Sequence, residues 1–224
     1  MDKKHLNVLG TIGGGNHFAE FQEVEQVYDQ EAFDELALDQ NEVFMLVHSG
    51  SRSLGESILQ RYLEEVKSGG ASQELSRGAP ETSQELQNYL RGHDIALNFA
   101  RRNRFLIAHR ILEQIDSRRS AADQKYAVKD TDCIIDIFHN FVERQAVKFG
   151  EEEDKEGRAE MSWVHRKGAT PSNHSEVLVI PGSRGTHSYM VKVVKDNCHL
   201  SGYSLAHGAG RKMARSKAYA LVKD

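Results

Sequence analysis

Residues 82–117 carry the longest helical pattern in the chain, with Ile107, Ile111 and Ile115 at four-residue spacing and Phe99 and Leu106 beside them. A stripe of that length commits this stretch to a helix whose apolar side other elements must cover. A second helix is expected over 53–67, where Leu54, Ile58, Tyr62 and Val66 fall on one face. Strand-like runs surround these helices. They are 16–27, with Phe18, Phe21, Val24 and Val27, then the continuous apolar run 43–47, which reads as a buried strand, and 133–138. An acidic connector, 28–42, separates the first two, and glycines with small polar residues mark a loop around 69–80. The last third changes character, alternating short β-like runs (161–165, 177–180, 188–194, 202–205) with turns before a closing helix over 211–222. No repeat or low-complexity linker interrupts this order. The expectation is one mixed α+β domain over 1–224, with its conspicuous histidines at strand ends or in adjoining turns.

Composition narrows the class of function. Hydrophobic content of 39% beside 28% charged residues is that of a soluble globular protein, and no apolar run approaches the ~20 residues that span a bilayer. No membrane partner and a cytoplasmic location are therefore expected. Cys133 and Cys198 form no C-x-x-C pair, so neither a zinc knuckle nor a disulfide framework is indicated. A net charge of −4 argues against a surface that coats nucleic acid broadly but leaves room for a local basic groove.

Four histidine motifs carry the chemistry: Gly-Gly-Gly-Asn-His-Phe (13–18), Val-His-Ser-Gly-Ser-Arg (47–52), Phe-His-Asn (138–140) and Ser-Leu-Ala-His-Gly-Ala-Gly-Arg (204–211). In the last, glycines let the backbone approach a ligand closely and Arg211 can clamp phosphate oxygens beside His207. Neutral imidazoles suit Zn, Mn, Fe or Ni, which makes His17, His48 and His139 candidate metal ligands, although any one of them taken alone reads equally well as a hydrogen-bonded core histidine. Gly13-Gly14-Gly15 lacks the lysine and following helix of a P-loop. Asn16 and Glu20 can hydrogen-bond a ribose or a phosphate, or hold a metal's outer partners. Ser49-Gly50-Ser51-Arg52 has the composition of an anion nest, and 166–170 and 181–186 add two more glycine-bearing basic loops. Together these loops suggest a polyanionic ligand, with nucleotide or RNA ends as the natural candidates.

Seven motifs in order, Leu9–Glu20, His48–Arg52, Asn98–Arg104, His139-Asn140, Arg166–Thr170, Pro181–Ser183 and His207–Arg211, make the chain resemble the RtcB family of GTP- and manganese-dependent RNA-splicing ligases from about residue 5 onward. The resemblance implies a role for each matched residue. His207 matches the nucleophile that attacks the α-phosphate of GTP and becomes a histidine–GMP phosphoramidate. His17, His48 and His139 match ligands of a two-manganese centre. Asn16, Phe18, Glu20, Ser183, Gly208, Ala209 and Gly210 match the GMP-contacting segments. Arg52, Asn140 and Arg211 match positions near the RNA termini. The implied fold is a mixed α+β domain around a deep, metal-bearing cleft. The implied reaction joins 3′-phosphate or 2′,3′-cyclic phosphate ends to 5′-hydroxyl ends, with RNA ends and GTP as partners and an archease-type protein as a possible activator.

All these steps occur at phosphorus, so positioning and charge neutralisation are expected to supply most of the catalysis. A metal-dependent cyclic phosphodiesterase and an inactive RNA-end-binding remnant are the alternatives. The family's early Asp-x-x-Cys metal motif and its terminal guanine-contacting lysine have no counterpart here, and the first motif begins near residue 10. The chain is therefore expected to be a piece of a longer protein. Outside the motifs, His93 and His109 read as surface or packing residues, Cys133 as a core thiol, and His174 and His187 as weak RNA-contact candidates. Arg101 and Arg102 read equally as an RNA-facing patch or a solvated helix face.

Overall fold

In a computed structural model the described residues are 3–68, 80–118, 135–148, 159–173, 176–183, 185–208 and 210. The chain divides into two compact units, Met1–Ile134 and Ile135–Asp224. Helices and strands are mixed along the sequence, as an α+β chain requires. Among the described residues, no helix is long and apolar enough to cross a membrane.

The first unit begins with a short helix, α1 (Lys3–Leu6), followed by strand β1 (Phe18–Glu23), helix α2 (Gln30–Glu35), strand β2 (Val43–His48) and two long helices, α3 (Ser53–Ser68) and α4 (Gln84–Asp116). Ser83 caps α4 by accepting the Leu86 N–H at 3.2 Å, which fixes the start of the long helix. The stripe expected on α3 meets α4 directly. A Cβ on Gly92 would lie 2.8 Å from a methyl of Ile58, so only glycine allows the two helices this approach, and Tyr62 packs its ring 4.9 Å from that of Tyr89.

On α4 the buried face is Ala96, Phe99, Ala100, Asn103 and Ile107. It lies toward the N-terminus of the face expected from the isoleucines. Ile115 is 38% exposed. The acidic connector contains α2, capped by Asp29, whose carboxylate accepts the Ala32 N–H at 3.0 Å. β1 and β2 pair antiparallel, with Phe18 opposite His48 and Glu23 opposite Val43. The strand expected over 43–47 is found as β2, but it is not buried: among the described residues it pairs with β1 alone, and Val43 is 64% exposed.

The second unit is built from antiparallel strand pairs: β3 (Asn140–Lys148) with β4 (Ala159–Lys167), β5 (Ala169–Pro171) with β8 (Ser204–Ala206), and β6 (Val177–Ile180) with β7 (Tyr189–Lys192). A 3₁₀ helix, Lys195–Ser201, precedes β8. The strand expected over 133–138 is absent where the structure describes it, at 135–138, and the chain enters its strand at Asn140. Cys133, all but the last residue of the loop expected around 69–80, and the expected closing helix 211–222 lie outside the described residues.

Leu178, Val177, Phe141, Val147 and Cys198 form the apolar part of this unit's core, and Arg166 lies among its buried groups, only 2% exposed. Its guanidinium is fully engaged. It forms an ion pair with Glu143, donates to Ser204 Oγ at 2.9 Å, Gln145 Oε1 at 2.9 Å and the Tyr203 carbonyl at 3.1 Å, and sits 5.5 Å from the Phe141 ring centre. The arginine of the stretch 166–170 is therefore not open to an anion, whereas Lys167 is exposed. The stretch is the end of β4, a one-residue turn at Gly168 and the start of β5, with its arginine committed to the interior.

Candidate functional site

In the first unit, the loop that carries Gly13–Asn16 is shaped by α4. Asn103 is completely buried, and its Oδ1 accepts the Gly10 and Thr11 N–H groups at 2.6 and 3.2 Å. Its amide nitrogen donates to Thr11 O, Ser49 Oγ and Gly50 O at 3.2, 3.0 and 3.2 Å. One side chain thus ties the turn before His17 to the turn after His48. Arg104 adds a bond to the Ser49 carbonyl at 3.1 Å, and Arg110 donates to the Leu9 and Gly10 carbonyls at 3.0 and 2.7 Å. Ser49 closes the link by donating to the Ile12 carbonyl at 2.8 Å.

His17 and His48 end up with ring centres 6.1 Å apart, and Phe18 meets His48 edge-on at 5.3 Å. Arg52, whose backbone φ is +56°, brings its guanidinium to 3.4 Å from His17 Nδ1 and 3.4 Å from Thr11 Oγ1. Gly13 has φ +101°, and a Cβ there would collide with both the Arg52 guanidinium and the His17 ring. The glycine is needed here for space as well as conformation. Burial and the Arg52 charge hold the His17 pKa below the usual histidine value, while a hydrogen bond to the Ile12 backbone pulls the other way. A neutral imidazole beside an arginine is the state that can bind a metal. Asn16 and Glu20 are exposed, and Glu20 accepts from Gln22 at 2.7 Å.

In the second unit, His139 and His207 stack face to face, with ring centres 3.8 Å apart and planes within 9°. The Gly168 turn sets this pair. The Gly168 N–H donates to the His139 carbonyl at 2.7 Å and to Asn140 Oδ1 at 3.0 Å, while the Gly168 carbonyl accepts the His207 N–H at 3.0 Å. Gly168 has φ +71°, a conformation that suits glycine at a one-residue turn between strands. A ring nitrogen of His139 lies within 4.8 Å of one of His207. Ser183 is exposed in a turn closed by the Thr186 N–H donating to its carbonyl at 2.9 Å. Gly208 lies beside the Pro181 carbonyl, which brings the 181–183 turn next to the segment after His207. Gly210 has φ +74°, and Ala209 and Arg211 lie outside the described residues.

Each of the four motif histidines sits at a strand end or in the turn beside one, as expected. Each unit brings two of them together: His17 with His48, and His139 with His207. Asn140, expected at a substrate terminus, holds the Gly168 turn with its side chain. His93 and His109 lie on α4 beside Asp94 and Glu113, as packing and surface residues. Among the described histidines, His5 is the one that motif reading left aside and the structure buries. Its ring accepts or donates at Ser53 Oγ (3.2 Å) and Ser57 Oγ (3.4 Å), fixing α1 to the start of α3.

A family model described as tRNA-splicing ligase RtcB matches residues 1–224. The chain belongs to the RtcB family. It is 43% identical over 211 residues to the RNA-splicing ligase RtcB2 of Escherichia coli, an alignment covering 94% of the chain and 47% of that protein. It is 36% identical over 231 residues to the tRNA-splicing ligase RtcB of Nanoarchaeum equitans, covering 95% and 46%. Against the tRNA-splicing ligase RtcB of Methanocaldococcus jannaschii the figures are 34% over 236 residues, 96% of the chain and 23% of that protein. The chain thus spans about half, or less, of the length of these RtcB relatives. Asn103 and Arg166 are the residues that motif reading quoted without seeing their importance. The signal for Asn103 was a polar residue on the buried face of α4, four residues from both Phe99 and Ile107.

Proposed function

We propose that this chain carries catalytic residues of an RNA ligase that joins 3′-phosphate or 2′,3′-cyclic phosphate ends to 5′-hydroxyl ends. The observation that carries the reading is the stacked His139–His207 pair held by one glycine turn, within a chain matched to the RtcB family over its whole length. In this proposal a neutral His207 attacks the α-phosphorus of GTP. A P–N bond forms, the bond to pyrophosphate breaks, and pyrophosphate leaves. The RNA 3′-phosphate then takes GMP from the histidine, and the 5′-hydroxyl displaces GMP as the phosphodiester forms.

The proposed metal ligands are His17 and His48 in the first unit and His139 in the second. Their donor set, imidazoles with one held neutral by burial and a neighbouring arginine, fits Mn²⁺ or a similar ion. When bound, such ions neutralise charge that develops on the transferring phosphoryl group. Asn16, Phe18, Glu20, Ser183, Gly208, Ala209 and Gly210 are proposed to contact GMP, and Arg52, Asn140 and Arg211 to contact the RNA ends. The matched family's deep cleft, its RNA and GTP partners and an archease-type activator belong to the same proposal. Treating 1–224 as one catalytic domain rests on the family model spanning both units.

The test is guanylylation. Incubation with GTP radiolabelled at the α-phosphate and Mn²⁺ should give an acid-labile, alkali-stable protein–GMP adduct that is lost in His207→Ala. Label retained in that variant would overturn the assignment of the nucleophile. Opening of a cyclic phosphate with neither labelling nor joining would favour the phosphodiesterase alternative.

A further inference from the structure

The β3–β4 ribbon has two faces of different chemistry. Its inward face holds Phe141, Glu143, Gln145 and Val147 around Arg166. On the outward face the register sets Lys167 beside Asn140, His165 beside Val142, Trp163 beside Arg144 and Met161 beside Ala146. Trp163 and Met161 are 41% and 56% exposed, and Arg144, His165 and Lys167 are exposed as well. Among the described residues of the two strands, no carboxylate occupies an outward position, since Glu143 and Glu160 both have the inward parity of their strands. Cations with an interleaved aromatic ring, on a chain whose net charge is −4, form a local surface complementary to a polyanion that also has planar groups.

The position of the ribbon identifies the polyanion. The Asn140–Lys167 pair adjoins His139 and Gly168, the residues that hold the His139–His207 stack. From that pair to the Trp163–Arg144 pair is four residues, about 13 Å along the strands. That length matches two or three nucleotides of extended single strand rather than a mononucleotide. We infer that the outward face of this ribbon binds the single-stranded RNA leading up to the joined end, with a base stacked on Trp163 and phosphates on Arg144 and Lys167. This rests on the ligase reading above and adds to it where the body of the RNA strand runs.

Trp163 is the single tryptophan of the chain and reports directly on stacking. An oligoribonucleotide of about ten nucleotides with a 3′-phosphate should quench its emission, with the midpoint moving to higher RNA concentration as salt is added. Trp163→Ala and Arg144→Ala should each raise the KM for the RNA strand about tenfold, with His207–GMP labelling unchanged and Trp163→Phe recovering most of the loss. Unquenched emission while fluorescence anisotropy shows the RNA bound would overturn the inference. So would an unchanged KM in both alanine variants, which would leave the face to a protein partner. The binding arm needs no GTP. A failure of labelling would therefore count against guanylylation alone, and a failure of quenching against the ribbon alone.

Discussion

His17 and Arg166 show how single residues are set by what surrounds them. Burial and Arg52 favour the neutral form of His17 in the folded protein, so its pKa lies below the ~6.5 of an exposed histidine. The folded state then binds fewer protons than the unfolded state just below that value. The contribution of His17 to stability is complete above pH ~6.5 and is lost as the pH falls toward the folded-state pKa. An NMR titration of the metal-free protein should place the His17 midpoint below the ~6.5 of an exposed histidine, and a midpoint at or above it would contradict the argument. Arg166 is the opposite case, a charge kept in the interior by Glu143 and three further acceptors. Removing one partner of a buried pair costs about 3–5 kcal/mol, so Arg166→Met should lower the urea midpoint by that equivalent. A loss below about 1 kcal/mol would show that solvent reaches the site and screens the pair.

At the scale of elements, α4 acts on the site without contributing a motif histidine. Asn103 on its buried face joins the turns that precede β1 and follow β2, and so sets where His17 and His48 stand. Asn103→Ala leaves two buried N–H groups and the Ser49 hydroxyl without this partner, and should cost about 2–4 kcal/mol in chemical denaturation. It should also broaden the His17 and His48 NMR signals, which a loss of stability elsewhere would not do.

The same helix shows where sequence reading succeeds. Its existence over 82–117 follows from the apolar period, and the structure gives Gln84–Asp116 with Ser83 as its cap. Of the apolar residues expected on it, Phe99 and Ile107 are buried whereas Ile115 is 38% exposed, because isoleucines mark apolarity and packing decides burial. β3 was missed for a related reason. Its inward positions alternate Phe141 and Val147 with Glu143 and Gln145, polar groups that serve Arg166, so no apolar period of two is visible. The strands 161–165 and 177–180 were legible because both are short runs rich in apolar residues, Met161, Trp163 and Val164 in the first and the whole of Val177–Ile180 in the second.

At the scale of the molecule, the four motif histidines were legible because each stands at the end of a short strand or directly beside it, three of them close to glycines that let a side chain and a backbone meet one ligand. What was not legible is the scaffold behind them, because Asn103 and Arg166 act on backbone that comes close only in the fold. The proposed function names residues of both compact units, with metal ligands from each and the nucleophile from the second. Chelation followed by removal of the chelator should abolish labelling by GTP, and Mn²⁺ should restore it. His17→Ala, His48→Ala and His139→Ala should each reduce labelling by 100-fold or so at saturating GTP, a loss on the scale of a missing charge-stabilising group. Labelling that survives chelation would remove the metal from the guanylylation step.

The turn at Gly168 has one further consequence. Its N–H grips the residue before β3 and its carbonyl grips the residue after β8, so both imidazoles hang from one bracket. A strain, a packing change or a thermal displacement that carries the bracket carries both rings with it, and their separation is left nearly untouched. The second unit can therefore tolerate drift in absolute position, across sequence variants or during a catalytic cycle, while the offset between the two rings stays in tolerance.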